Sequence, residues 1–287
     1  MRKTGRAESE GDSLYYKVTG EGIPLVLIAG GGGDGDLFLP LADQMEDVYK
    51  VITYDRRANA RSTMNHPDSF SIEQQARDVV AIMNEVGVDS AYVFGNSSGA
   101  VIAMELMRLY PDRVKGVIAH EPPVAKMHPD AEKWHDFFHS CYQASFHMGG
   151  ASMAATKFLL GIQVPVRQMI KAQLVAQKYV SKEKEIPKEH RIPSKKVSEF
   201  LIRQELLPIT EYDVDVEFFR NRKDTFVIAA GTYAKDNNTF LFQTAQILAE
   251  RCGLSTALLP GHHGSFMDDP INWAKRLKEL LGRMRNC

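Results

Sequence analysis

Gly95-Asn96-Ser97-Ser98-Gly99 places a serine between two small-flanked positions in a G-x-S-x-G pattern. An apolar run, Ala91 to Phe94, precedes it, and a helical pattern, Val101 to Leu109, follows. A hydroxyl at the tip of such a strand–turn–helix is lifted clear of the backbone and can act as a nucleophile. The tight turn requires small neighbours, which Gly95 and Gly99 supply. The spacing from both glycines selects Ser97. Ser98 is then cast as an oxyanion donor, with its N–H at a helix N-terminus, where negative charge is favoured. An ordinary glycine-rich βα turn is the alternative use of the pentapeptide.

A second glycine-rich stretch, Ala29 to Gly35 (AGGGGDG), follows an apolar run, Ile23 to Ala29. Consecutive glycines let backbone N–H groups approach a ligand without Cβ atoms in the way. A dinucleotide-binding reading can be forced onto Gly30, Gly32 and Gly35, with Asp55 as the later acidic residue. It requires a helix to begin inside the motif. The serine motif and the histidines near the C-terminus fit a hydrolytic site better, so no cofactor is expected.

The elements that must position these groups alternate in type. Strands are predicted at 13–19, 23–29, 51–55, 91–94, 114–119, 225–230 and 256–259. Helices are predicted at 36–45, 71–86, 101–109, 239–250 and 270–281. Ser71, with Gln74 three positions on, has the capping-box pattern. This alternation implies a mostly parallel central sheet flanked by helices, an α/β fold. Between Pro122 and Leu207 the pattern turns into long helical segments rich in Met, His and aromatics, interrupted by a charged loop at 181–196. We read residues 1–121 and 208–287 as the core domain and 122–207 as an inserted helical cap. Its aromatic helix, WHDFFHSCYQASFHM, suggests an apolar lid and a small-molecule substrate with an apolar or aromatic acyl or alcohol group.

With these residues in view, the chain resembles the α/β-hydrolase family along nearly its whole length. AGGGGDGDLFLPLADQM is similar to the family's oxyanion loop and following helix, with Ala29 in place of the usual histidine. The resemblance implies Gly31 N–H as the second oxyanion donor. YDRRANARS, Tyr54 to Ser62, resembles D-x-R-G-x-G-x-S, but Ala58 and Ala60 replace both glycines. LPGHHGSFMDDP, Leu259 to Pro270, resembles the catalytic-histidine loop P-G-x-H-x-x-F and aligns His263, rather than the adjacent His262, with the base. The triad order in this fold is nucleophile, acid, histidine. The usual acid position after the penultimate strand is Ala234. Haloalkane dehalogenases carry the acid after the strand that follows the elbow helix, and Glu121 occupies that place here. Asp236 is the alternative acid, and Asp213 or Asp215 a more distant one. Dehalogenation needs a carboxylate nucleophile, and position 97 is serine, so acyl transfer follows.

The resemblance therefore implies a serine hydrolase of the carboxylesterase type, acting on a small carboxylic ester or related acyl bond. A weakly catalytic ligand-binding protein on the same fold is the alternative. His135 and His139 share a helical face, but HEXXH is absent and no third ligand is evident in the sequence, so no metal is expected. The formal net charge of −1 leaves no basic surplus for nucleic acid. No apolar run approaches the roughly 20 residues that span a bilayer. The absence of a signal-type leader and the wide spacing of Cys141, Cys252 and Cys287 point to a reducing cytoplasm. The sequence leaves the oligomeric state open.

Overall fold

A computed structural model describes residues 2–180 and 191–285. Eight strands, β1 (Lys3–Ser9), β2 (Asp12–Thr19), β3 (Ile23–Ile28), β4 (Tyr49–Tyr54), β5 (Ala91–Asn96), β6 (Val114–His120), β7 (Phe226–Gly231) and β8 (Ala257–Leu259), form one sheet. Their order is β1-β2-β4-β3-β5-β6-β7-β8. β2 pairs antiparallel with β1 and β4, and every other pairing is parallel.

The unbroken apolar runs of the central strands follow from burial on both faces. In β3, Val26 and Ile28 enter one apolar layer while Leu25 and Leu27 enter the other. β5 divides the same way, with Ala91 and Val93 on one side and Tyr92 and Phe94 on the other. Helices α2 (Ile72–Glu85), α3 (Ser98–Leu109) and α11 (Phe240–Cys252) cover the first face. Helices α1 (Leu39–Asp43) and α12 (Pro270–Arg285) cover the second, where Trp273, Leu277 and Leu281 are fully buried. Each such side chain contributes about 2 kcal/mol relative to exposure.

Between β6 and β7 the chain forms α4 (Ala131–Ala144), α5 (Gly150–Gly161), α6 (Val166–Val180), α7 (Ser194–Phe200), a π-turn at Leu201–Glu205, α8 (Leu206–Thr210) and α9 (Val216–Arg220). A third apolar cluster, including Phe138, Cys141, Ala154, Ile202 and Leu206, joins α4, α5, the π-turn and α8 to Phe240 and Leu241 of α11, while Ala172 and Ala176 of α6 belong to the second core layer and Phe219 of α9 to the first. Ile209, one turn past Leu206, already belongs to the first core layer. α10 (Thr232–Asp236) follows β7 directly.

The structure departs from the sequence-based expectations at several places. β1 has no counterpart among the predicted strands: KTGRAES has no apolar run, because it is an edge strand with only Ala7 and Ser9 buried. The helix expected at 36–45 is split into a single tight turn, Gly35–Phe38, and the short α1. α3 starts at Ser98 rather than Val101. Ser71 Oγ accepts from Gln74 N–H at 3.2 Å, but the Gln74 side chain donates to Glu10, so the reciprocal half of the capping box is missing. Part of the charged loop expected at 181–196, residues 181–190, lies outside the described residues, and its last residues belong to α7. Cys141 and Cys252 are buried free thiols. Cys287 lies outside the described residues.

Candidate active site

β5 is buried along its whole length and ends in a sharp turn. Ser97 has φ 57° and ψ −121°, a conformation that L-residues avoid and that persists only where surroundings enforce it. The enforcement is visible. Ser97 N–H donates to His120 O at 2.9 Å, which ties the turn to the end of β6, and Ser97 O accepts from Ala100 N–H at 2.9 Å. A Cβ on Gly95 would lie 2.1 Å from Gly99 O, and one on Gly99 would lie 2.3 Å from Ile28 O. Both flanking positions are therefore closed to any larger residue.

The loop after β3 lies against this turn. A Cβ on Gly30 would sit 3.0 Å from Ser97 Cβ, and one on Gly31 would sit 2.8 Å from Leu201 Cδ1 of the π-turn. Gly30, the neighbour of Gly31, thus packs directly on the serine, and Ser98 follows it as the first residue of α3. The loop is anchored by charge. Gly35 N–H donates to Asp55 Oδ1 at 3.0 Å. Arg61 forks onto Asp55 at 2.6 and 2.9 Å and meets Asp36 at 2.7 Å. Arg191, arriving from the helical excursion, reaches Asp34 at 2.8 Å and Asp36 at 2.6 Å. Asp55 is thereby occupied by internal partners. Ala58 and Ala60, the two departures from the family's glycines, both have positive φ, 65° and 43°.

The imidazole comes from the loop after β8. His263 Nδ1 and Glu121 Oε2 form a short hydrogen bond between two buried side chains. Glu121 is fully buried at the end of β6, and its other oxygen accepts from Gly231 N–H at 2.8 Å. Burial alone would raise the Glu121 pKa. The charge interactions with His120 and His263, the hydrogen bond from His263 and the Gly231 amide outweigh it and hold the carboxyl down at about 2. Burial pushes His120 itself down to about 4, so at neutral pH that ring is uncharged and the holding falls to His263 and Gly231. His120 Nδ1 bonds Asn96 Oδ1 at 2.6 Å, and the ring lies edge-on to Trp273 and parallel to His263.

The other residues proposed from sequence lie elsewhere. His262 turns away, with Nε2 3.3 Å from Asp268 Oδ2. Asp236 is exposed at the end of α10, so the geometry sets Glu121, not the alternative acid, against the imidazole. Asp213 is exposed, and Asp215 caps α9 by accepting from Phe218 N–H.

Several residues of this region were not singled out from sequence. His120 and Asn96 brace the ends of β5 and β6. Arg56, fully buried, bonds Glu205 of the π-turn at 2.6 Å and Ser98 Oγ at 3.4 Å. The positions of Asn96 and Arg56 inside quoted motifs, and of His120 beside Glu121, are the signals available. The Arg56–Glu205 pair spans 149 residues and carries no local signal.

A sequence profile of the alpha/beta hydrolase fold matches residues 23–231, most of the chain, and the protein belongs to the α/β-hydrolase fold family. Among its relatives, the uncharacterized hydrolase YraK of Bacillus subtilis (strain 168) is 26% identical over 282 residues, covering 96% of this chain and 95% of that one. A thermophilic esterase from Thermogutta terrifontis superposes with a TM-score of 0.74 at 17% identity, covering 98% of this chain and 99% of that chain. The enol-lactonase from Burkholderia xenovorans LB400 superposes with a TM-score of 0.67 at 17% identity, covering 97% and 100%.

Proposed function

We propose that this protein is a serine hydrolase that cleaves a small carboxylic ester or related acyl bond through an acyl-enzyme. The observation that carries the reading is the buried Glu121–His263 pair, set on the strand next to a serine held at positive φ. In this mechanism ionised Glu121 accepts a hydrogen bond from His263 Nδ1–H, which keeps the proton on Nδ1 and leaves Nε2 as the basic nitrogen. Nε2 takes the Ser97 proton as Oγ attacks the carbonyl carbon. The developing oxyanion is received by the N–H groups of Gly31 and Ser98. The imidazolium, stabilised by ionised Glu121, protonates the leaving alcohol. A water then repeats the sequence on the acyl-enzyme and frees the acid.

Residues 122–207 act as the cap in this reading. The apolar cluster that α4, α5 and the π-turn share, seated on Phe240 and Leu241 of α11, and the return to the first core layer by Ile209 support that division. Leu201 lies against Gly31, and Met169 of α6 approaches Gly264, beside the base. Apolar side chains of the cap therefore line both the amide and imidazole sides, which favours an apolar or aromatic substrate. The esterase and lactonase named above support an acyl substrate. The buried free thiols support a reducing, cytoplasmic setting. Among the described residues, no helix is long and apolar enough to cross a membrane.

A fluorophosphonate probe tests the nucleophile. It labels the wild-type protein and not Ser97→Ala. Equal labelling of Ser97→Ala removes Ser97 from the role. A wild-type protein that neither labels nor turns over p-nitrophenyl esters is a binding protein instead.

A further inference from the structure

The structure supplies the third ligand that the sequence does not show beside His135 and His139. One helical turn apart on α4, the two imidazoles lie with ring centroids 4.1 Å apart and planes tilted by 38°. Glu211, 72 residues beyond His139, brings its carboxylate to both. His139 Nε2 lies 3.0 Å from Glu211 Oε1, and His135 Nε2 lies 3.6 Å from the same oxygen. The ligand-type atoms of all three residues lie within 4.8 Å of one another.

The hydrogen bond between His139 and Glu211 and the longer contact to His135 have separations of the kind a tetrahedral ion spans. With zinc bonds of about 2.0–2.1 Å to nitrogen and oxygen, two ligand atoms on one tetrahedron are about 3.3–3.4 Å apart, and the two observed separations bracket that value. Two neutral imidazoles and one carboxylate give a donor set of charge −1 suited to a divalent cation. The nitrogen donors select the zinc class over magnesium or calcium. Asp136 Oδ1 lies 3.6 Å from His135 Nδ1, on the side opposite Glu211, where a carboxylate can fix the tautomer that leaves Nε2 free to bind. The side chains are 53%, 39% and 39% exposed, so an ion has access and water can complete the coordination.

We propose that His135, His139 and Glu211 form a binding site for a zinc-class divalent cation, which pins α4 to the segment returning to the core. That segment is itself anchored, because Tyr212 OH donates to Glu105 Oε2 of α3 at 2.8 Å. A bound ion therefore ties the helical excursion to the α/β core at a point distinct from the Ser97 site.

The test uses untagged protein, freed of metal by a chelator and titrated with zinc chloride by calorimetry. Wild-type protein takes up one equivalent. His139→Ala and Glu211→Gln each weaken binding at least tenfold, and Asp136→Asn weakens it less. Cobalt(II) in place of zinc gives the intense visible bands of a tetrahedral site in the wild type only. At a hundredfold excess over the dissociation constant, zinc raises the melting temperature by about 5 °C, and it does not do so in the His135→Ala/His139→Ala double variant. These side chains are exposed, so the variants keep the metal-free melting temperature, which verifies folding. The proposal is overturned if no saturable one-equivalent uptake occurs, or if the variants bind zinc as tightly as the wild type.

Discussion

On the proposed mechanism, Glu121→Gln gives the sharpest test, because the surrounding hydrogen bonds dictate how the new amide must sit. Gly231 N–H donates to Oε1 at 2.8 Å and requires an acceptor there, so the carbonyl oxygen of the introduced amide takes that place. Its NH2 group then occupies the Oε2 position against His263 Nδ1. A donor facing Nδ1 forces the proton onto Nε2, the tautomer that cannot accept the Ser97 proton. In a serine triad of another fold, the equivalent acid-to-amide change lowers kcat by about 10^4, which is about 5.5 kcal/mol of barrier. The same loss is expected here. Stopped-flow and steady-state hydrolysis of p-nitrophenyl acetate read it, with circular dichroism to verify the fold. Asp236→Asn, in the same assay, changes kcat less than about threefold. Retention of more than a tenth of wild-type kcat by Glu121→Gln refutes the assignment of the acid. A collapse of Asp236→Asn instead would move that role to the end of α10.

Three further outcomes follow from the packing. Stability falls in acid through two groups. His120 is held neutral, with its pKa lowered by burial from 6.5 to about 4, so its contribution is present above about pH 6.5 and is lost as pH falls through 4. Glu121 is held down from 4.5 to about 2, so its contribution is present above about pH 4.5 and is lost as pH falls toward 2. Burial raises Asp55 to about 6, which opposes the His120 loss over the same range, so the His120 part is read in urea unfolding as the difference between wild type and His120→Gln: that difference shrinks by about 2 kcal/mol between pH 7.5 and pH 5, and a difference independent of pH rejects the assignment. Glu205→Ala leaves buried Arg56 without its counter-charge and costs about 3–5 kcal/mol. The double variant Arg56→Met/Glu205→Leu recovers most of that loss, and a double variant no more stable than the single would show that the pair's charges are not the cause. Ala58→Gly and Ala60→Gly relieve a left-handed conformation that disfavours alanine by about 1–2 kcal/mol, against an entropic cost of about 0.5–1 kcal/mol for glycine. Each is therefore neutral or stabilising in thermal melts, and a loss above 1 kcal/mol contradicts the strain argument.

What is legible in the sequence divides along physical lines. The central sheet is readable because strands buried on both faces must be apolar throughout, as IPLVLI is, while the helices between them keep a one-sided pattern. β1 escapes notice because an edge strand is released from that demand: Lys3, Thr4 and Arg6 need no apolar face. The serine turn is readable because its tightness restricts residue size at two fixed positions, Gly95 and Gly99. The Glu121–His263 contact is reachable only through the resemblance and the gap at Ala234, since no local pattern links residues 142 apart. Contacts that exist only after folding leave no trace at all. Arg56 with Glu205, Arg191 with Asp34 and Asp36, and Glu211 with His135 and His139 each join a core or helix position to a distant one.

The position of Glu121 also bears on the order in which the molecule assembles. Asn96 and His120 pair across the parallel strands β5 and β6, so the residues following them, Ser97 and Glu121, sit at the neighbouring carboxyl ends of the two strands of a single β–α–β unit. Bringing those ends together closes only a short stretch of chain, with a correspondingly small entropic penalty. The imidazole comes from 142 residues beyond Glu121, across the whole helical excursion, so its loop closure carries the larger entropic cost. On the proposed mechanism, fraying of the C-terminal segment disarms the molecule while the serine turn and its carboxylate neighbour stay intact, so loss of turnover precedes loss of the sheet.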